Sequence, residues 1–175
     1  VHLDPEENVA WLRIDGKDVL LREGEWSEWL EVSFDALPGG LMRFAGIVRF
    51  YMKEVRPDFQ LYASPVNLAP GDPAQPITTP DDFVELLHQK LGNFYTVGMP
   101  EETNALKDGL FDDDDYTKQV KLFQEEDSDR LLDLALSRFE LGGTTFVYNS
   151  DIDLQCHMLW RHGDPRNPDA PHHPA

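Results

Sequence analysis

With 33 Asp and Glu against 15 Lys and Arg, this 175-residue chain carries a formal charge of −18, so it repels phosphate backbones, and a nucleic-acid-coating role is disfavoured. Its 41% hydrophobic residues can build a real core, as one ordinary domain or two small ones. The single cysteine, Cys156, excludes an intrachain disulfide and a Cys-based zinc finger, and no apolar run approaches the roughly 18 residues of a membrane helix.

The first third reads as strands. Val9 to Ile14 and Val19 to Arg22 flank Asp15-Gly16, a dipeptide whose residues tolerate positive φ and so mark a hairpin. A third strand is expected from Trp26 to Phe34, although its alternation is imperfect, and a fourth from Arg43 to Glu54, rich in aromatic and branched side chains. A fifth is expected from Phe59 to Ala63. The prolines at 65, 70, 73, 76 and 80 can sustain neither a central strand nor a helix. They predict the module boundary: a β-rich module with its Pro-rich connector over 1–78, a helical and α/β segment over 79–163, and a tail over 164–175.

Beyond the prolines the periodicity turns helical. Thr79 is expected as N-cap with Pro80, Asp81 and Asp82 in the first turn, and Phe83, Leu86, Leu87 and Leu91 form an apolar stripe ending at Gly92. A short helix is expected from Pro100 to Lys107 and a long one from Asp113 to Leu141, stopped by Gly142-Gly143. The acidic run Asp112 to Asp115 lacks the glycine and closing Glu of an EF-hand loop and reads as a helix N-terminus. Thr144 to Tyr148 is β-prone and nearly continuous, the pattern of a strand buried on both faces. A long helix feeding such a strand is α/β grammar, so the fold class expected is α+β followed by α/β.

Polar, metal-competent residues follow directly, where open α/β sheets bind ligands. Asp153 and His157 are four apart, on one face of any helix that starts here and within reach of one cation. A carboxylate plus an imidazole suits Zn, Mn or Fe better than calcium. The competing reading is that Asp153 caps the helix and His157 merely packs. Asp151 is read as a turn residue or, alternatively, as a further metal ligand or an acceptor for the His157 ring, and His162 with Asp164 as further residues lining the cleft. His88 is expected on the surface of an amphipathic helix, and His2, His172 and His173 lie near the termini without partners at ligand spacing. There is no Gly-x-Ser-x-Gly elbow and no phosphate-cradling loop, and no nucleophile is visible.

The stretch from Phe146 to Arg161, containing Asp153-Leu154-Gln155-Cys156-His157, resembles the Asp-x-x-x-His metal-ligand segment of the type I phosphodiesterase/nucleotide pyrophosphatase family, in the alkaline phosphatase superfamily. The runs Leu21 to Trp29, Arg49 to Pro57 and Phe94 to Pro100 look like one bacterial branch of that family. The resemblance implies an alkaline-phosphatase-like core with a β-rich insertion, and a two-metal hydrolase in which a Ser or Thr attacks phosphorus. It implies that Asp153 and His157 are two ligands of one of two divalent ions, Zn or Mn, in an intact parent acting on a phosphate ester or nucleotide-like molecule. The family's nucleophile and remaining ligands have no counterpart in this sequence. The expectation is therefore an internal fragment, inactive in isolation, whose exposed strand edges invite oligomerisation. A start at Val1 rather than Met agrees with that expectation, and the compartment stays unread between cytoplasm and periplasm. The rival expectation is a non-enzymatic β-rich module using aromatics around Trp11, Trp26, Trp29 and Tyr51.

Overall fold

The computed structural model describes residues 1–35, 43–164 and 166, with no side-chain description at Asp35 and Arg43. The expected tail over 164–175 and the histidines at 172 and 173 lie almost wholly outside the described residues. The chain is mixed α and β, with three small antiparallel sheets among the described residues. It divides into two compact units, Val1–Val97 and Gly98–Ala175.

In the first unit, β1 (His2–Asp4), β2 (Val9–Ile14) and β3 (Lys17–Arg22) form one sheet in that order. Asp15 at φ 48° and Gly16 at φ 77° make the two-residue turn that sets Ile14 opposite Lys17, the handedness matching strand twist. Ala10, Leu12 and Leu21 point inward and pack with Met52 and Val55, edged by Leu3, Ile14, Val19, Phe50 and Leu61. Alternate residues of the same strands face outward.

The two longer strands expected next are each broken in two. Trp26 to Phe34 becomes β4 (Glu25–Trp26) and β5 (Leu30–Asp35), and Arg43 to Glu54 becomes β6 (Arg43–Val48) and β7 (Phe50–Glu54). With β8 (Gln60–Ala63) and β9 (Asn67–Leu68) they form sheets ordered β4-β7-β8 and β5-β6-β9. All three chain passages break in one row, at Ser27–Trp29, Arg49 and Ser64–Val66, so the sheet turns a corner there. Two serine hydroxyls stand in for the ladder groups lost at the corner. Ser27 Oγ accepts from Phe50 N at 2.9 Å and donates to Glu28 O, while Ser64 Oγ accepts from Arg49 N at 3.0 Å and donates to Pro65 O. That keeps the interrupted backbone paired, as a buried break requires. The imperfect alternation of Trp26 to Phe34 was the local trace of this corner.

Arg49 is buried at the bend, its guanidinium 4.8 Å from the centre of the Trp29 ring. Trp29 in turn meets Tyr95 edge-on at 4.7 Å. Gly46 lies where β6 meets β9: a Cβ there would come within 2.6 Å of Val66 Cγ1 and 3.2 Å of Asn67 O.

Helix α1 (Phe83–Leu91) starts later than Thr79. Thr78, not Thr79, supplies the hydroxyl, accepting from Val84 N at 3.1 Å, and 80–82 are spent in tight turns. Gly92, at φ 75°, closes the helix with its N–H on His88 O, and His88 rests over Gly71 with Nδ1 3.1 Å from Gly92 O. The segment after α1 returns to the sheets. Asn67 Oδ1 accepts from both Thr96 N and Val97 N, at 2.8 and 2.9 Å, and Thr96 Oγ1 donates to Leu68 O. These bonds hold the prolines and α1 with the β-rich unit, so the observed division falls at 97/98 and the expected one fell at 78/79.

The second unit is helical. It comprises α2 (Thr103–Lys107), α3 (Asp113–Phe123), one wide turn over Gln124–Ser128, α4 (Asp129–Ser137) and α5 (Asp151–Leu159). Asp112 and Asp115 cap α3 reciprocally, side chain to backbone in both directions, which is what the acidic run does here. The long helix expected over 113–141 is real in outline but widens at 124–128, where Asp129 N reaches Gln124 O, and ends at Ser137. Helices α2 and α5 both pack on α3.

The buried strand expected at Thr144 to Tyr148 does not form. These residues are exposed, Phe146 by 87%, and pair with no strand among the described residues. A run suited to burial on both faces has no neighbours here to pair with, and a strand's hydrogen bonds are all non-local. Every strand pair among the described residues is antiparallel, so the α/β grammar is not realised in them. No helix among the described residues is long and apolar enough to cross a membrane.

Candidate functional site

Helix α5 presents two different faces. Asp153 and His157, one helical turn apart, stand together on the exposed side, with Asp153 Oδ1 3.4 Å from His157 Nε2. Zn–O and Zn–N bonds of about 2.0–2.2 Å at tetrahedral angles set a ligand–ligand edge of about 3.4 Å, so this pair fits two corners of one metal's shell. It equally makes an ordinary surface ion pair when the imidazole is protonated. Among the described residues no group of three or more His, Cys, Asp or Glu is placed to hold a metal. Two donors are half of what a closed tetrahedral site requires.

Asp151 belongs to the other face. It opens α5, is only 2% exposed, and its N–H donates to Asn149 Oδ1 at 3.1 Å. Six residues from His157, it is turned about 240° away along the helix, so it does not serve as the acceptor for His157. Neither of its carboxylate oxygens has a hydrogen-bond partner among the described residues.

Beside it lies a buried polar cluster that no local pattern announced. The Ser150 hydroxyl, at the helix start, donates to Glu101 Oε1 at 2.6 Å across 49 residues of sequence. Glu101 and Tyr116 are both buried, and neither Glu101 Oε2 nor the Tyr116 hydroxyl has a partner among the described residues. Burial, with the Glu101 carboxylate adding to it, pushes the Tyr116 phenol up to about 12. Gln119 completes the surroundings, accepting from Glu102 N and donating to Pro100 O.

His162 is not brought to Asp153 and His157. Its Nε2 lies 2.6 Å from Asp113 Oδ2, while Arg161 donates to Asp113 Oδ1. Together they latch the turn after α5 onto the first turn of α3. Asp164 pairs with Arg166, whose side-chain and then backbone hydrogen bonds hold its carboxyl below the ordinary range. Cys156 is exposed. His2 lies edge-on to Trp11, far in sequence from α5. The structure therefore joins Asp153 with His157 and separates both from Asp151 and His162. What sequence reasoning missed, the Glu101–Ser150 bond and the Asp113 latch, spans 48 or 49 positions and leaves no periodic signal.

No family model, curated protein or solved structure matches the chain.

Proposed function

We propose that the chain is an internal part of a divalent-metal-dependent phosphodiesterase or nucleotide pyrophosphatase with an alkaline-phosphatase-like core. The observation that carries this reading is the Asp153–His157 pair, accessible on one face of α5 at the ligand–ligand spacing of a tetrahedral metal. In this reading Zn or Mn would be one of two ions. Asp153 and His157 would hold the first, and the nucleophile and other ligands would come from elsewhere in the parent. The exposed run Thr144 to Tyr148, which ends just before α5, agrees with a core strand whose sheet neighbours lie outside the chain. It is also the segment through which copies of the isolated chain would associate. Half a ligand set without a nucleophile supports no phosphoryl transfer.

The test is hydrolysis of a chromogenic phosphodiester with Zn or Mn present. The isolated 175 residues are expected to show no turnover. In the intact parent, Asp153→Ala or His157→Ala should cut turnover by orders of magnitude and lower the bound metal measured by elemental analysis. Robust, chelator-sensitive turnover by the isolated chain, or unchanged metal content in both variants, would sink the reading.

A further inference from the structure

The outer face of the β1–β2–β3 sheet carries a groove of about 360 Å³, within the range of about 300–1,000 Å³ common for small-ligand sites. Strand alternation sends Leu3, Ala10, Leu12 and Leu21 into the core and leaves the other parity outside. Cross-strand register then aligns His2, Trp11 and Leu20 in one row and Asp4 and Arg22 in the next. Trp11 sits on the central strand, 44% exposed, its backbone paired on both sides and its ring met edge-on by His2 at 6.5 Å. A tryptophan on the solvent side of a rigid sheet is a flat apolar platform with little conformational entropy to lose on binding.

The polar groups around that platform are available. The Asp4 carboxylate is fixed by accepting from the N–H groups of Glu6 and Glu7 at 3.2 and 3.3 Å. Among the described residues neither the Arg22 guanidinium nor the Glu7 carboxylate forms a hydrogen bond or ion pair. Two carboxylates against one guanidinium, in a chain of net charge −18, disfavour an anionic ligand. A quaternary ammonium needs an aromatic cage, and among the described residues Trp11 is the only Trp, Tyr or Phe lining this groove. What remains is a neutral molecule with one apolar face and a rim of hydroxyls that both donate and accept.

We propose that this face binds a pyranose unit of a neutral glycan, its C–H face stacked on Trp11. Its hydroxyls donate to Asp4 and Glu7 and accept from Arg22 and His2. The site lies wholly in the first unit and stands or falls independently of the phosphodiesterase reading.

Isothermal titration calorimetry of the full chain with cellohexaose and with chitohexaose tests it. Binding of at least one is expected, insensitive to salt between low and physiological ionic strength because the ligand carries no charge. Trp11→Ala should weaken it at least about tenfold, Trp11→Phe should retain most of it, and Arg22→Ala should weaken it severalfold. Far-UV circular dichroism and Tm should stay unchanged in Arg22→Ala and Trp11→Phe, which keeps the test valid if Trp11→Ala fails to fold. Binding of neither glycan, binding indifferent to Arg22→Ala and Trp11→Phe alike with no loss in folded Trp11→Ala, or uptake of tetramethylammonium in place of glycan would overturn it.

Discussion

Val1–Val97 and Gly98–Ala175 differ in how far each closes an apolar core of its own. In the first unit the buried polar side chains Ser27, Ser64 and Asn67 are hydrogen-bonded where the sheet turns its corner, and an apolar cluster closes beneath the β1–β2–β3 sheet. Both units hold buried polar atoms with no hydrogen-bond partner among the described residues, Trp29 Nε1 and Asn93 Oδ1 in the first and Glu101 Oε2, the Tyr116 hydroxyl and both Asp151 oxygens in the second, but in the second Leu136, Phe139, Leu141, Phe146 and Tyr148 also face solvent. No residue of α4 is buried, although its apolar residues share one side. A helix closes its backbone hydrogen bonds within its own segment, but only a partner surface gives its apolar stripe something to cover. The first unit closes an apolar cluster beneath its β1–β2–β3 sheet, whereas α4 and residues 139–148 leave their apolar side chains in solvent.

Substitutions can break or sharpen this contrast. The largest loss is expected at the corner: Arg49→Ala removes a buried guanidinium and its packing on Trp29 and should cost about 3–5 kcal/mol in urea unfolding. Asn67→Ala strips one acceptor from two N–H groups and should cost about 2–3 kcal/mol. If both changes cost less than about 1 kcal/mol, the corner does not organise the first unit.

Tyr116 probes the second unit through pH. Its folded pKa, about 12, lies above its ordinary value, so the fold prefers the neutral phenol. That preference is fully present below about pH 10 and is lost as pH rises toward 12, a decline worth about 2–3 kcal/mol. Tyr116→Phe should flatten the alkaline limb of the stability profile while changing stability at pH 7 by less than about 1 kcal/mol, because the hydroxyl has no partner to lose among the described residues. An unchanged alkaline limb would show that another group titrates there. The smallest effects are expected at Leu136→Ser and Phe146→Ser, each within about 0.5 kcal/mol for this chain. A loss above about 2 kcal/mol at either would show that these side chains already have a packing partner, and the contrast between the units would fail.

Sequence alone determined what depends on near neighbours. The Asp15-Gly16 hairpin, the strand at residues 60–63, the Gly92 helix stop, the acidic N-terminus of α3 and the one-turn approach of Asp153 to His157 all follow from spacing of a few residues. Tertiary structure decided whatever needed a partner far along the chain. It set the corner at Ser27, Arg49 and Ser64, and the return of 96–97 to Asn67 that moves the division to 97/98. It also set the Glu101–Ser150 and Asp113–His162 contacts, and the exposure of Thr144 to Tyr148. The last shows the reason most plainly. A helix closes its hydrogen bonds within its own segment, so its sequence carries most of the instruction, whereas a strand exists only if another strand is there to receive it.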